Sequence, residues 1–116
     1  MASSDLEHLR MKSQVAFGQR YRLELMLAVA ASDDGIICLT DLAKELDVAI
    51  SNLQGPMRSL IGAGLLTPLP RGDSRRKFYI RNASAAWAWA RELHLQTLAE
   101  RTSDSPHQAR STNSGL

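Results

Sequence analysis

The chain has 116 residues, a formal net charge of +2, 44% hydrophobic residues and only 5% aromatic residues. This length suits one domain with a single modest core, and the scarcity of aromatic residues favours helices over a β-sandwich. A single cysteine excludes an intramolecular disulfide framework, and apolar runs too short for a bilayer span or a signal peptide predict a cytoplasmic protein without a membrane partner.

The first third of the chain predicts two helices and a strand. A short helix is expected over Asp5–Lys12, with Ser4 as its cap. Residues 18–32 predict a stronger helix, because their apolar side chains recur every three or four positions. The β-branched content of Ile36–Leu39 then predicts a short buried strand.

The next segment reads as two short helices joined by a tight turn. Thr40 is a good N-cap for the first helix, which ends before the turn at residues 47–49. The second helix is predicted near Ser51–Ala63, with apolar residues at core spacing. Gly64 follows in a position suited to closing a helix. This pattern predicts a helix–turn–helix.

The segment Thr67–Arg81 is predicted to form a hairpin, with turn residues at its tip. Five basic residues against one acidic residue give it a net charge of +4, which leaves −2 for the rest of the chain. The basic residues are Arg71, Arg75, Arg76, Lys77 and Arg81. Such a cluster is typical of a nucleic-acid contact; the alternative is a polar hairpin that is charged only to stay solvated.

The last helix is predicted over Ser84–Arg101 and contains Trp87 and Trp89. The segment 102–116 is polar and cannot bury a core, so it is predicted to be a disordered tail. The expected organisation is therefore one domain over residues 1–101, followed by this tail.

Four stretches carry a resemblance to a known family. They are Gly18–Leu23, Leu42–Leu46, Leu60–Leu66 and Arg75–Tyr79. Their order and spacing resemble the ArsR/SmtB-type winged-helix regulators, with MarR-type regulators as more distant relatives. The resemblance covers about residues 17–81 and implies a mostly α fold with a small β-hairpin wing, the winged helix-turn-helix. It also implies a homodimeric transcriptional regulator, most simply a repressor, that reads double-stranded DNA.

The DNA contacts follow from matching this sequence to the family. The second helix would lie in the major groove, and the hairpin wing would contact phosphates or the minor groove. Asn52 and Gln54 have amides able to read adenine, whereas Arg58 would hold a phosphate. The full set of implied DNA-binding residues is Ser51, Asn52, Gln54, Gly55, Arg58, Arg71, Arg75, Arg76 and Lys77.

The dimer interface is expected on the first and last helices. Trp87 and Trp89 are two residues apart, so one helix cannot point both at the same surface. We expect one to face the core and the other a partner subunit; the alternative is that both close the monomer core. The predicted interface residues are Leu6, Leu9, Trp87, Trp89 and Leu93.

Gly55 and Pro56 interrupt the second helix with its two least favourable residue types. If the helix begins near Ser51, Pro56 removes the hydrogen bond to the carbonyl of Asn52 and loosens or bends the helix. We predict that this bend re-aims the first turn toward DNA. The alternative is that Pro56 is a tolerated defect.

The sequence predicts no metal site, no cofactor and no catalytic residue. ArsR/SmtB-type regulators often carry a Cys-x-Cys pair where this chain has Cys38–Thr40, and one thiolate cannot chelate a soft metal. Cys38 is expected to be a small buried apolar residue, and His94 a surface or interface residue. No small-molecule effector can be identified. The alternative function is a winged-helix protein-interaction module that does not read DNA, because Thr40–Leu66 carries a net charge of −1.

Overall fold

The structure, a computed structural model, describes residues 3–72 and 75–102. Two residues of the predicted hairpin tip and the predicted tail from residue 103 onward lie outside the described residues. The elements in chain order are α1 (Ser3–Phe17), α2 (Arg22–Ala31), β1 (Ile36–Cys38), α3 (Leu39–Leu46), α4 (Ile50–Gly62), β2 (Leu66–Pro68), β3 (Phe78–Arg81) and α5 (Ala85–Thr102).

Helix α2 lies at the centre of the fold because it is apolar around most of its circumference. Its residues Leu23, Leu25, Met26 and Val29 are fully buried. Helices α1, α3, α4 and α5 all pack against it. The chain is therefore mostly helical around one core, as predicted.

The three strands form an antiparallel sheet in the order β1-β3-β2. The hairpin of β2 and β3 is the wing, and β1 pairs with its inner strand so that Cys38 lies opposite Phe78. At the other end of β3, Leu66 pairs with Arg81. This register places the loop between β2 and β3 on the side of α3 and α4.

Helix α1 is longer than the predicted Asp5–Lys12 segment. It continues to Phe17 because its last turns still pack against α2 and α5. The buried hydroxyl of Ser13 donates to the carbonyl of Gln19 and accepts from the backbone N–H of Leu23 at 2.9 Å. Gly18 then ends the helix with a positive φ of 72°, which glycine adopts at little cost.

The predicted N-cap at Thr40 is wrong, because α3 begins one residue after β1. Cys38 is extended, with φ −127° and ψ 128°, and serves as the N-cap residue. The pair formed by Cys38 and Phe78 ends the ladder, so Leu39 is free to turn directly into the helix. The predicted strand is accordingly one residue too long.

A buried ion pair joins α1 to α2. The guanidinium of Arg10 meets the carboxylate of Glu24 in two contacts, Nε to Oε1 at 2.6 Å and Nη2 to Oε2 at 3.1 Å. The Arg10 guanidinium also lies 4.8 Å from the ring centroid of Tyr21. The hydrogen bonds to Glu24 raise the pKa of Arg10 above its ordinary value. Each charge of the pair therefore offsets the cost of removing the other from water.

Helix α5 separates its two tryptophans as expected. Trp87 is 6% exposed, and its indole N–H donates to the carbonyl of Asn82 at 2.7 Å. Trp89 is 44% exposed and meets the ring of Phe17 edge to face, with centroids 5.2 Å apart. Among the described residues, no helix has the length and apolar character needed to cross a membrane.

Candidate nucleic-acid interface

Helices α3 and α4 form the predicted helix–turn–helix. The turn is closed by Asp47, which has a positive φ of 57°, and by the backbone N–H of Val48, which donates to Ala43 at 3.0 Å. Gly64, with φ 80°, ends α4, and the N–H of Leu65 donates to the carbonyl of Leu60 at 2.9 Å. These bonds satisfy the last carbonyls of each helix and set where the chain leaves it.

Helix α4 has one buried and one exposed face. The buried face consists of Leu53, Pro56, Met57 and Leu60. Four of the predicted groove-facing residues are exposed on the other side, namely Ser51, Asn52, Gln54 and Arg58. The polar residues expected to read DNA are therefore accessible.

The Gly55-Pro56 pair lies inside α4, which runs without interruption from Ile50 to Gly62. Gly55 is half-buried at the edge of the exposed face, beside the side chain of Gln19. A Cβ at this position would lie 3.8 Å from Gln19 Nε2, an ordinary contact, so packing does not require glycine here. Gln19 also donates from Nε2 to the hydroxyl of Ser59 at 3.0 Å. The junction of α1 and α2 thus supports α4 through Gln19, a role that no sequence pattern indicated.

The wing and α4 face each other across a cleft of about 510 Å³. Apolar residues form one part of its lining, among them Ile50, Met57 and Ile61. Its polar and cationic residues are Thr40, Gln54, Arg58, Arg75, Arg76, Lys77 and Tyr79. The structure therefore brings the predicted base-reading helix and the predicted wing cations together on one side of the molecule.

Arg71 is exposed near the tip of the wing, and its Nη2 donates to the carbonyl of Arg75 at 2.8 Å. This bond crosses the base of the tip and ties its two sides together. Arg75 and Lys77 are exposed alongside.

Arg81 contributes to the positive charge of the hairpin but does not face the cleft. Its Nη1 donates to the carbonyls of Val29 and Ser32, both at 2.8 Å, and to that of Ala30 at 3.3 Å. These carbonyls end α2, where a cation is favourable. The side chain therefore fastens the inner wing strand to the central helix, and the wing has one cation fewer for a ligand than the sequence suggests.

Arg76 is exposed but engaged within the protein. Its Nη2 forms an ion pair with Oδ1 of Asp41 on the first turn of α3 and donates to Sγ of Cys38 at 3.5 Å. The guanidinium lies 5.8 Å from the ring centroid of Phe78. Hydrogen bonding to Cys38 and the charge of Asp41 raise the pKa of Arg76. The sequence offered no signal for this pairing, since the two residues lie 35 positions apart.

Cys38 is buried at the end of β1, in agreement with its predicted apolar character. Burial raises the pKa of its thiol, but the backbone N–H groups of Asp41 and Thr40 and the Arg76 guanidinium outweigh burial, so the pKa is lowered overall. His94 is half-buried on α5. Within the described ranges, no group of three or more His, Cys, Asp or Glu side chains could hold a metal ion.

The predicted interface residues divide into two groups. Leu9, Trp87 and Leu93 are buried in the core of the single chain, so each keeps little surface for a partner to cover. Leu6 is half-buried, and Trp89 keeps an exposed surface. Sequence periodicity identified the helices but not which apolar residues they bury.

No protein-family model matches the chain, and no curated protein is similar to it in sequence. Its fold, in contrast, is similar to several solved structures. AbsC, a MarR family transcriptional regulator from Streptomyces coelicolor, is 18% identical, with 96% of this chain and 79% of AbsC covered and a TM-score of 0.64. Sco3205, a MarR family transcriptional regulator from the same organism solved in complex with DNA, is 21% identical, with 94% and 73% covered and a TM-score of 0.62.

A transcriptional regulator homologue from Pyrococcus horikoshii OT3 is also similar, at 21% identity and a TM-score of 0.56, with 87% of this chain and 96% of that chain covered. The family named for AbsC and Sco3205 is MarR, which the sequence motifs had placed further away than ArsR/SmtB. These similar structures are those of transcriptional regulators rather than enzymes. The fold of this chain is therefore the winged helix-turn-helix fold of such regulators.

Proposed function

We propose that this protein is a sequence-specific DNA-binding transcriptional regulator that acts as a homodimeric repressor in the cytoplasm. The observation that carries the proposal is the cleft, where the exposed polar face of α4 meets the exposed cations of the wing. An α-helix fits the major groove of DNA, and cations beside the helix can neutralise the flanking phosphates. Repression would follow from occupying a promoter and excluding polymerase.

Individual roles follow from the chemistry of each side chain. Asn52 and Gln54 can read bases, because each amide offers one donor and one acceptor. Arg58, Arg75 and Lys77 carry positive charge to the phosphates, which contributes affinity without sequence preference. Ser51, Gly55 and Arg71 complete the proposed contact surface. The structure of Sco3205 with DNA supports DNA as the ligand of this fold.

The homodimer is proposed to use the outward faces of α1 and α5. Five large apolar side chains in the described part of these helices are exposed, namely Met11, Val15, Trp89, Leu95 and Leu98. Val15 is 85% exposed and Leu95 66% exposed, so both offer apolar surface that a partner subunit could cover. A two-fold dimer would also suit a palindromic DNA site.

The resemblance to ArsR/SmtB-type regulators remains a proposal that rests on sequence motifs. We do not propose metal sensing, because the single Cys38 supplies one thiolate and Thr40 stands where the second would be.

The function is tested by selecting binders from a pool of random double-stranded DNA with the purified full chain. The expected result is enrichment of a palindromic site whose half-sites are about one helical turn, or roughly 10 base pairs, apart. Binding should weaken as salt rises, because phosphate contacts release counterions. Failure to enrich any sequence would contradict DNA reading.

The alternative function is a protein-interaction module. The observation in its favour is that three acidic residues of the helix–turn–helix, Asp41, Glu45 and Asp47, are all exposed. Acidic side chains near α4 would repel the phosphates of DNA. A selection without enrichment, together with a stable homodimer in solution, would favour this alternative.

The proposed role of the Gly55-Pro56 pair within α4 predicts the behaviour of Pro56→Ala. Restoring the bond to the Asn52 carbonyl removes a cost of about 3 kcal/mol, while losing buried ring carbons costs roughly 1–2 kcal/mol, so the variant should be more stable by about 1 kcal/mol. If Pro56 aims the first turn of α4 toward DNA, affinity for the selected site should fall. Chemical denaturation and a DNA titration measure the two effects. Unchanged affinity and specificity would show that Pro56 is only a tolerated defect.

A further inference from the structure

The three consecutive wing cations are not equivalent. Arg75 and Lys77 are exposed beside the cleft, whereas Arg76 is held by an acidic residue of α3. The partner, Asp41, is itself exposed on the first turn of that helix. The pair therefore lies at the surface that the proposed function assigns to DNA.

Several contacts act together on the Arg76 guanidinium. Besides the carboxylate of Asp41, it meets Sγ of Cys38 at 3.5 Å and lies 5.8 Å from the centroid of the Phe78 ring. Cys38 and Phe78 are paired across β1 and β3, so both belong to the rigid part of the sheet. An exposed ion pair alone is weak. Here the Arg76 side chain is also restrained by its contacts with the sheet, so less conformational entropy is lost when the pair forms.

The carboxylate offers Arg76 the same chemistry that a DNA phosphate would. Both are anionic oxygen acceptors suited to a guanidinium. Asp41 therefore neutralises one wing cation before DNA arrives, and its own negative charge remains near the approaching phosphates.

We propose that Asp41 is a built-in competitor of the DNA phosphate for Arg76, which keeps this arginine out of the phosphate contacts and lowers affinity for all sequences alike. This inference rests on the proposed DNA-binding function. Its consequence is weaker binding to the selected site and to non-specific DNA in the same proportion, so the specificity ratio does not change.

The test compares salt dependence of DNA binding for the wild type and Asp41→Asn, using the selected site and a random duplex of equal length. Releasing Arg76 should add one phosphate contact per protomer, which steepens the slope of log affinity against log salt by about 0.9 per protomer, or about 1.8 for the proposed dimer. At 50 mM salt, binding of both duplexes by the dimer should tighten on the order of 100-fold, or roughly tenfold per protomer, with their ratio unchanged.

Three further variants separate release of Arg76 from simple removal of negative charge. In an Arg76→Ala background, Asp41→Asn should leave the slope unchanged. Glu45→Gln removes a comparable exposed charge from α3 and should also leave it unchanged. Lys77→Ala should flatten the slope by about 0.9 per protomer, or about 1.8 for the dimer, which shows that the assay resolves one contact per protomer.

The outcomes are distinguishable. If the wild type binds DNA with a salt dependence that Lys77→Ala reduces, but Asp41→Asn leaves the slope unchanged, the competitor role is wrong and the proposed function stands. An equal gain from Asp41→Asn with and without Arg76 would also overturn the inference, because it would show through-space repulsion alone. If the wild type binds no DNA, both proposals fall.

Discussion

Glu24→Ala is expected to lower the free energy of unfolding by about 3 kcal/mol. Glu24 is 4% exposed and its partner Arg10 16% exposed, so the substitution leaves an uncompensated charge that the fold keeps from water. Removing one partner of a buried pair typically costs 3–5 kcal/mol, and the slight exposure of Arg10 favours the lower end. Urea denaturation followed by circular dichroism measures the change, and the melting temperature should fall by more than about 10 °C.

The matched control is the ion pair of Arg20 and Glu7, which links α1 to the segment before α2. Both of its side chains are exposed. Glu7→Ala should therefore change stability little, because solvent already screens the pair. A double substitution that replaces Arg10 and Glu24 with apolar residues of similar size should recover much of the lost stability. If Glu24→Ala destabilised no more than Glu7→Ala, the buried pair would not be an important link between α1 and α2.

Gln54→Ala is expected to weaken binding to the selected DNA site by about 1–3 kcal/mol, or roughly 5- to 150-fold, while binding to random DNA stays nearly constant. Gln54 lines the cleft beside the wing, and its amide is proposed to read a base. A bidentate amide–adenine contact discriminates between bases, so its loss removes specificity rather than general affinity. Titrations of both duplexes at one salt concentration measure the ratio.

The comparison variant is Asn52→Ala. Asn52 and Gln54 are two residues apart on α4, so their side chains leave the helix on opposite flanks of the exposed face. Each substitution should relax specificity at a different base pair, which a repeated selection would show. An equal loss for both duplexes would indicate that Gln54 contacts the backbone and reads no base.

The sequence was informative wherever the controlling interactions are local. Helical periodicity identified α2, and the glycine after α4 marked its end, since both depend on residues within a few positions of each other. The order of two helices, a tight turn and a basic hairpin was sufficient to predict the winged helix-turn-helix. The sequence also predicted that one helix must present Trp87 and Trp89 to different surroundings.

Tertiary structure decided what those residues do. Periodicity shows that a helix has an apolar face, but the packing of α1 and α5 decides that Leu9 and Leu93 fill the core while Leu95 stays exposed. The observed end of α1 differs from the predicted end for the same reason, because the helix continues as far as it packs against α2 and α5.

The charges of the wing show the difference most clearly. By sequence alone its arginines are equivalent cations, and their number predicted a DNA-facing hairpin. In the fold, Arg81 caps the end of α2, Arg76 pairs with Asp41, and Arg75 stays exposed beside the cleft. These partners lie 35 to 52 positions away along the chain, and only the pairing of β1 with β3 brings them together. The sequence therefore determined the secondary-structure elements and the total charge of the wing. The register of the sheet determined which of these charges remain available to a ligand, because electrostatic interactions depend on distance in space and not along the chain.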